Sequence, residues 1–172
     1  MNFSKDSFLL LVLWAITFSG RAQSLVFENF DAGIPASWIV VDGGTTTDTW
    51  FGTTNGYQNN RLDGTEFAFV NSDAAGNGAS IVLNELLVSP VINGNLYSQV
   101  FLEFDHYYRE VSLDSGFVEV FDGNSWAVLA TYSSDTGAWG MPDHPVFNLT
   151  PYLNSNLKVR FRYMDNTIWA WY

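Results

Sequence analysis

The chain has 172 residues, with 7 Lys and Arg against 18 Asp and Glu, a net charge of −11, 17% aromatic residues and no cysteine. A surface this acidic repels phosphate backbones and anionic membranes, which excludes nucleic acid as a natural partner. The absence of cysteine excludes a disulfide framework, and the high aromatic content argues against disorder.

At the N-terminus, Lys5 leads into the apolar run Phe8 to Phe18, and the small residues Gly20 and Ala22 precede Gln23. That order is the charged region, apolar region and cleavage site of a secretory signal peptide over residues 1–22. The run is too short to cross a bilayer, and no second run of about 20 apolar residues follows it, so no transmembrane segment is expected. The remaining residues, 23–172, suit one domain with a sizeable core. With the leader go Lys5, Asp6 and Arg21, so the exported part is one unit more negative than the whole. The expected location is outside the cell or on its surface.

Beyond the leader, Leu25 to Phe30 and Trp38 to Val41 read as strands, followed by a loop rich in Gly, Thr, Asn and Asp from Gly43 to Asp63. Phe67 to Asn71 and Ile81 to Val88 read as strands flanking a second such loop, Asp73 to Gly78. In the segment Gln99 to Arg109, the residues Val100, Leu102, Phe104, His106 and Tyr108 share one face, and Phe101, Glu103, Asp105, Tyr107 and Arg109 the other. Phe117 to Phe121 and Trp126 to Tyr132 enclose Asp122-Gly123, a pair that tolerates the positive φ of tight hairpin turns. Val146 to Leu149 is a further strand, and Leu157 to Tyr163 alternates apolar Leu157, Val159, Phe161 and Tyr163 with basic Lys158, Arg160 and Arg162. Many short strands, tight turns and no helical pattern imply an all-β antiparallel sandwich or jelly roll, with recognition in its end loops.

The stretches "FENFDAGIPASWIVVDGG", "LLVSPVI" with "LEFDHYYRE", "FVEVFDGNSWAVL" and "LKVRFRYMDNTIWAWY" occur in an order and spacing that resembles the cleaved-adhesin domain. That family supplies the haemagglutinin and adhesin domains of gingipain-type secreted proteases, and its fold is similar to MAM and galactose-binding jelly rolls. Family members continue past the last aromatic run into a strand bearing an acidic pair, so the resemblance implies a domain lacking its C-terminal strand, within a longer exported protein. It also implies a non-catalytic, calcium-binding module that attaches to a host or extracellular-matrix protein or glycan.

Calcium takes six to eight hard oxygens. Glu28 matches the acidic position of the family's first strand, which resembles a calcium ligand in related jelly rolls, and Asp31 stands three residues on. Asn71 and Asp73 alternate ahead of flexible glycines, although Ala75 and Val82 stand where an EF-hand loop needs acids. An Asx turn at a solvated strand end accounts for the same residues. Trp50, Tyr57, Trp139, Trp169 and Trp171 taken singly read as core or hinge residues, since jelly rolls bury many aromatics, but each has a face that can stack on a sugar. Trp50 and Trp139, near Gly-rich loops, are where a ligand surface is to be sought first. The two remaining functional readings are an adhesin and a carbohydrate-binding module.

An enzymatic reading rests on Glu103 and Asp105, spaced like the carboxylates of laminarinase-type jelly rolls and about 7 Å apart along a strand. Retaining hydrolysis needs two carboxyl groups about 5–5.5 Å apart, and that family sets its second catalytic Glu a few residues further along the strand, where this chain has Tyr107 and Tyr108. Cross-strand attraction to Arg160 or Arg162 explains the pair without catalysis. His106 reads as a core residue, and His144 has no second histidine at metal-ligand spacing.

Overall fold

The structure, a computed structural model, describes residues 23–53, 64–76, 81–110 and 114–165. Its larger sheet is antiparallel, with order β1-β4-β9-β6-β7. The strands are β1 (Ile39–Val41), β4 (Leu83–Val88), β6 (Ser115–Phe121), β7 (Trp126–Tyr132) and β9 (Val159–Asp165). Alternation decides which side chains enter the core. On β9, Val159, Phe161 and Tyr163 face Val120, Val118 and Gly116 of β6, and on the other side Phe161 and Tyr163 face Leu87 and Glu85 of β4. Leu83, Leu87, Val118 and Val120 are at most 1% exposed; full burial of such a side chain contributes about 1.5–3 kcal/mol.

The second layer is the ladder of β5 (Phe101–Glu103) and β8 (Val146–Asn148). Isolated bridges carry it on to His106 and Asp143, and to Tyr108 and Thr136. Its inward residues Leu102 and Phe147 pack with Val100 and Leu149 against Val120 and Val159 of the large sheet and against Leu157 just before β9. Phe104 meets Phe161 edge-on at 4.9 Å between ring centres. Together with β2 (Phe51–Gly52) and β3 (Ala68–Phe69), which pair with each other, these layers form the antiparallel sandwich that the alternating patterns predict.

The Asp122-Gly123 hairpin forms as expected: Asp122 Oδ1 accepts from the N–H groups of Asn124 and Ser125, and Gly123 has φ +99°. One register shift interrupts the pairing of β6 with β7, where Leu129 is an extra residue between the partners of Val118 and Glu119.

Other expectations need correction. Leu25 to Phe30 joins no ladder among the described residues; the chain turns at Phe30, which takes φ +57° and packs on Trp38 at 5.3 Å. The expected Gly43 to Asp63 loop contains β2, held against the 28–34 turn so closely that a Cβ at Gly52 would lie 2.4 Å from the Gly33 Cα. A single helical turn, α1 (Ser72–Ala75), occupies the start of the expected Asp73 to Gly78 loop. The leader, Tyr57, Trp169, Trp171 and the side chain of Asp73 lie outside the described residues.

Candidate functional site

Pairing of Phe101 with Asn148 and of Glu103 with Val146 sets the register of the β5–β8 ladder, and the bridge between His106 and Asp143 keeps that register. Asp105 therefore stands opposite His144 on the outer face, and their Oδ1 and Nδ1 atoms are 2.5 Å apart. Glu103 Oε2 is 4.0 Å from the other ring nitrogen. The hydrogen bond and charge of Asp105, with further charge from Glu103 and Asp143, hold the exposed His144 above the usual histidine range.

His106 points the opposite way, into the core, with its ring 5.2 Å from Phe104 and 4.6 Å from Tyr132. Burial lowers its pKa, against the opposing pull of Asp143, whose carboxylate lies 3.4 Å away. The core reading of His106 is thus the observed one. Two histidines, 38 positions apart, occupy opposite sides of one thin ladder.

At the end of the outer row the chain makes a two-residue hairpin, with Ala138 and Met141 exchanging both backbone hydrogen bonds around Trp139-Gly140. Gly137 enters it at φ +73°, and a Cβ there would lie 2.8 Å from the His106 carbonyl oxygen and 2.9 Å from the Asp143 nitrogen, so glycine is required. The hairpin lifts Trp139 over the ladder, where its indole N–H donates to the Tyr107 hydroxyl at 3.1 Å. The ring stays 49% exposed and neighbouring Met141 70% exposed. An aromatic plate fixed at one edge, beside a row of carboxylates, can receive a ligand at little conformational cost.

The other residues expected to bind are engaged differently. Trp50 is half-buried against the cluster of Val70, Leu83, Tyr108 and Tyr163, and its indole N–H donates to the Glu85 carbonyl at 3.1 Å. Glu28 Oε1 accepts from the Phe30 N–H at 2.8 Å, and Asp31 Oδ2 from the Asn29 side-chain amide at 2.6 Å, so these two acids organise the 28–31 turn. Asn71 starts α1 through its carbonyl and lines an open hollow with Thr47, Asp48 and Thr49. Among the described residues, no three His, Cys, Asp or Glu side chains converge to hold a metal ion.

Glu103 and Asp105 share the outer face as their spacing requires, but neither arginine proposed for them is their partner. Arg160 reaches Glu119 and Arg162 reaches Asn84, both on the large sheet's outer face, with the core layer between. What sequence reasoning missed is the grouping of Asp105, Tyr107, Trp139 and His144. Its signal was the "MPDHP" stretch, which aligns with "LEFDHYY" only once the ladder register is known.

A cavity of about 190 Å³ lies between the layers, lined by residues including Leu87, Phe104, Val118, Tyr132 and Phe161. Burial pushes the pKa of Tyr163 at its wall strongly upward, and its hydroxyl donates to Asp114 Oδ2 at 2.9 Å. Among the described residues, no helix is long and apolar enough to cross a membrane.

Comparison with known proteins agrees with this architecture. The family model described as Cleaved Adhesin Domain matches residues 23–113. The fold is similar to the crystal structure of the K1 cleaved adhesin domain of Lys-gingipain from Porphyromonas gingivalis W83, with a TM-score of 0.59 at 18% identity, covering 83% of this chain and 90% of that one. The K3 domain of the same protein gives a TM-score of 0.49 at 19% identity, covering 85% and 93%. No curated protein matches the chain.

Proposed function

The chain belongs to the cleaved adhesin domain family, and from that premise we propose that it is a secreted or cell-surface, non-catalytic attachment module within a longer exported protein, as K1 is one domain of Lys-gingipain. The observation that carries this reading is Trp139, held open to solvent by Tyr107 on a rigid ladder with no third carboxyl group in its row. Such an arrangement suits binding. The leader at residues 1–22 supplies the route out of the cell.

The target in this reading is a host or extracellular-matrix protein. A glycan is the second reading, since an indole face beside hydrogen-bonding carboxylates also suits a pyranose. Binding of the full chain to immobilised matrix proteins, compared with a glycan array, separates the two. Matrix binding supports the adhesin. Tight binding to one polysaccharide, lost in Trp139→Ala or Trp50→Ala, replaces it with the carbohydrate module, and turnover of a glucan overturns both.

Calcium belongs to the same proposal. Glu28, Asp31, Asn71 and Asp73 offer the hard oxygens it takes, and a carboxylate that accepts a backbone N–H keeps lone pairs for a cation. In an acidic chain without cysteines, the ion would tie its donors down and offset their charge. A ligand that binds only the folded state raises the melting temperature, by an amount equivalent to about 2.7 kcal/mol at a hundredfold excess over Kd. A chelator that leaves the melting temperature of the full chain unchanged removes calcium from the proposal.

A further inference from the structure

We propose that the outer face of the β5–β8 ladder docks a basic polypeptide segment, with a Lys or Arg side chain over Trp139 and its neighbours against Glu103 and Asp105. This rests on the attachment-module reading and names the class of partner that the module takes.

Charge complementarity argues for that partner. Residues 93–108 and 110–157, which include β5, β8 and the hairpin, contain no Lys or Arg. Arg109 follows at the end of the strand, beyond Tyr107. The carboxylates of Glu103 and Asp105 are both more than half exposed, and the group bonded to Asp105 is a histidine, which is neutral when deprotonated. Around them stand exposed apolar side chains, Phe101 and Val146 along the ladder and Trp139 and Met141 on the hairpin. A guanidinium or ammonium carried on an alkyl stem satisfies both features, since its charge pairs with carboxylate, its stem covers apolar surface and its cation is drawn to an indole face. A neutral sugar would leave the carboxylates without counter-charge.

His144 makes the docking respond to pH. The charged groups around it are Asp105 and Glu103 on its own face and, from the opposite side of the ladder, Asp143. When it is protonated it supplies the positive charge that the partner would bring, so acidification weakens docking.

The test is fluorescence anisotropy of the full chain with a labelled oligoarginine peptide, with oligoglutamate and a neutral oligosaccharide as comparison probes. The expected result is salt-sensitive binding to oligoarginine alone, weakened about tenfold in Trp139→Ala and about threefold in Asp105→Asn. Asp42→Asn, which removes the same charge from an exposed site outside the ladder, should have no such effect. In His144→Gln the weakening on acidification disappears. Equal losses from Asp42→Asn and Asp105→Asn mean diffuse attraction to an acidic protein and overturn the proposal, as does unchanged binding in a Trp139→Ala variant of normal melting temperature. Oligosaccharide binding that depends on Trp139 overturns it in favour of a glycan. Matrix binding that survives these changes sinks this face alone, whereas a chain that binds neither matrix nor oligoarginine sinks the attachment reading too.

Discussion

On the outer face of the five-stranded sheet, Arg160 reaches Glu119 at 2.5 Å and lies 4.2 Å above the Trp126 ring, while Lys158 stands 4.9 Å over Phe121. On the outer face of the β5–β8 ladder, Asp105 meets an exposed histidine and Trp139 remains half open to solvent. Both faces use aromatic rings and charges on alternating strand positions; on the first the rings carry the chain's own cations, and on the second Trp139 keeps about half of its surface in solvent. Self-satisfaction serves stability and openness serves recognition, because a ring already covered by its own cation has little left to offer a partner.

The largest effect should come from breaking the closed face. Arg160→Ala leaves Glu119, 6% exposed in its side chain, without its cation, and should cost about 2–4 kcal/mol in urea unfolding. The double change Arg160→Met with Glu119→Leu should recover most of that loss, because apolar residues of similar volume need no counter-charge. A double variant as unstable as the single one would show that the pair does more than compensate its own burial.

Next in size is Gly137→Ala, which strains a left-handed position and drives a methyl group against the His106 carbonyl; about 1–3 kcal/mol is expected by thermal melt. Smaller still is the effect of pH on the ladder. The pKa of His144 is raised above its unfolded value near 6.5, so its stabilisation is complete below that value and fades as pH climbs through the higher folded one. The pKa of His106 is depressed, so its contribution is present above the unfolded value and lost as pH falls towards the lower folded one. His144→Gln should therefore steepen the loss of stability on acidification from neutrality, and His106→Phe should flatten it. Identical profiles in the two variants would contradict the opposed environments. Smallest of all, Asp105→Asn should alter stability by less than about 0.5 kcal/mol, so any effect it has on docking is an effect of the site.

Much of the closed face was legible in the chain. The period-two alternation of Leu157 to Tyr163 gives its inward and outward rows directly, and Asp122-Gly123 marks the hairpin that brings Trp126 within reach of Arg160. The open face was half legible. The outward row Phe101, Glu103, Asp105 and Tyr107 follows from alternation, but its companions come from a segment broken by Gly137, Gly140, Pro142 and Pro145, where no period survives to fix register. Trp50 shows the converse: placed in a glycine- and threonine-rich stretch, it looks like a loop aromatic, yet β2 turns it into the core. Leu25 to Phe30 has strand composition, but a ladder needs a partner edge as well as propensity.

The extra residue at Leu129 has its own consequence. Among the described residues, strand β7 lies at the border of the large sheet and reads WAVLATY, without the lysines or prolines that usually stop such a border from recruiting another chain. The added residue bends it and coils it more tightly, which interrupts the straight row of amide groups that a growing fibril would copy. Copies held close together can thus touch along this border without polymerising into amyloid.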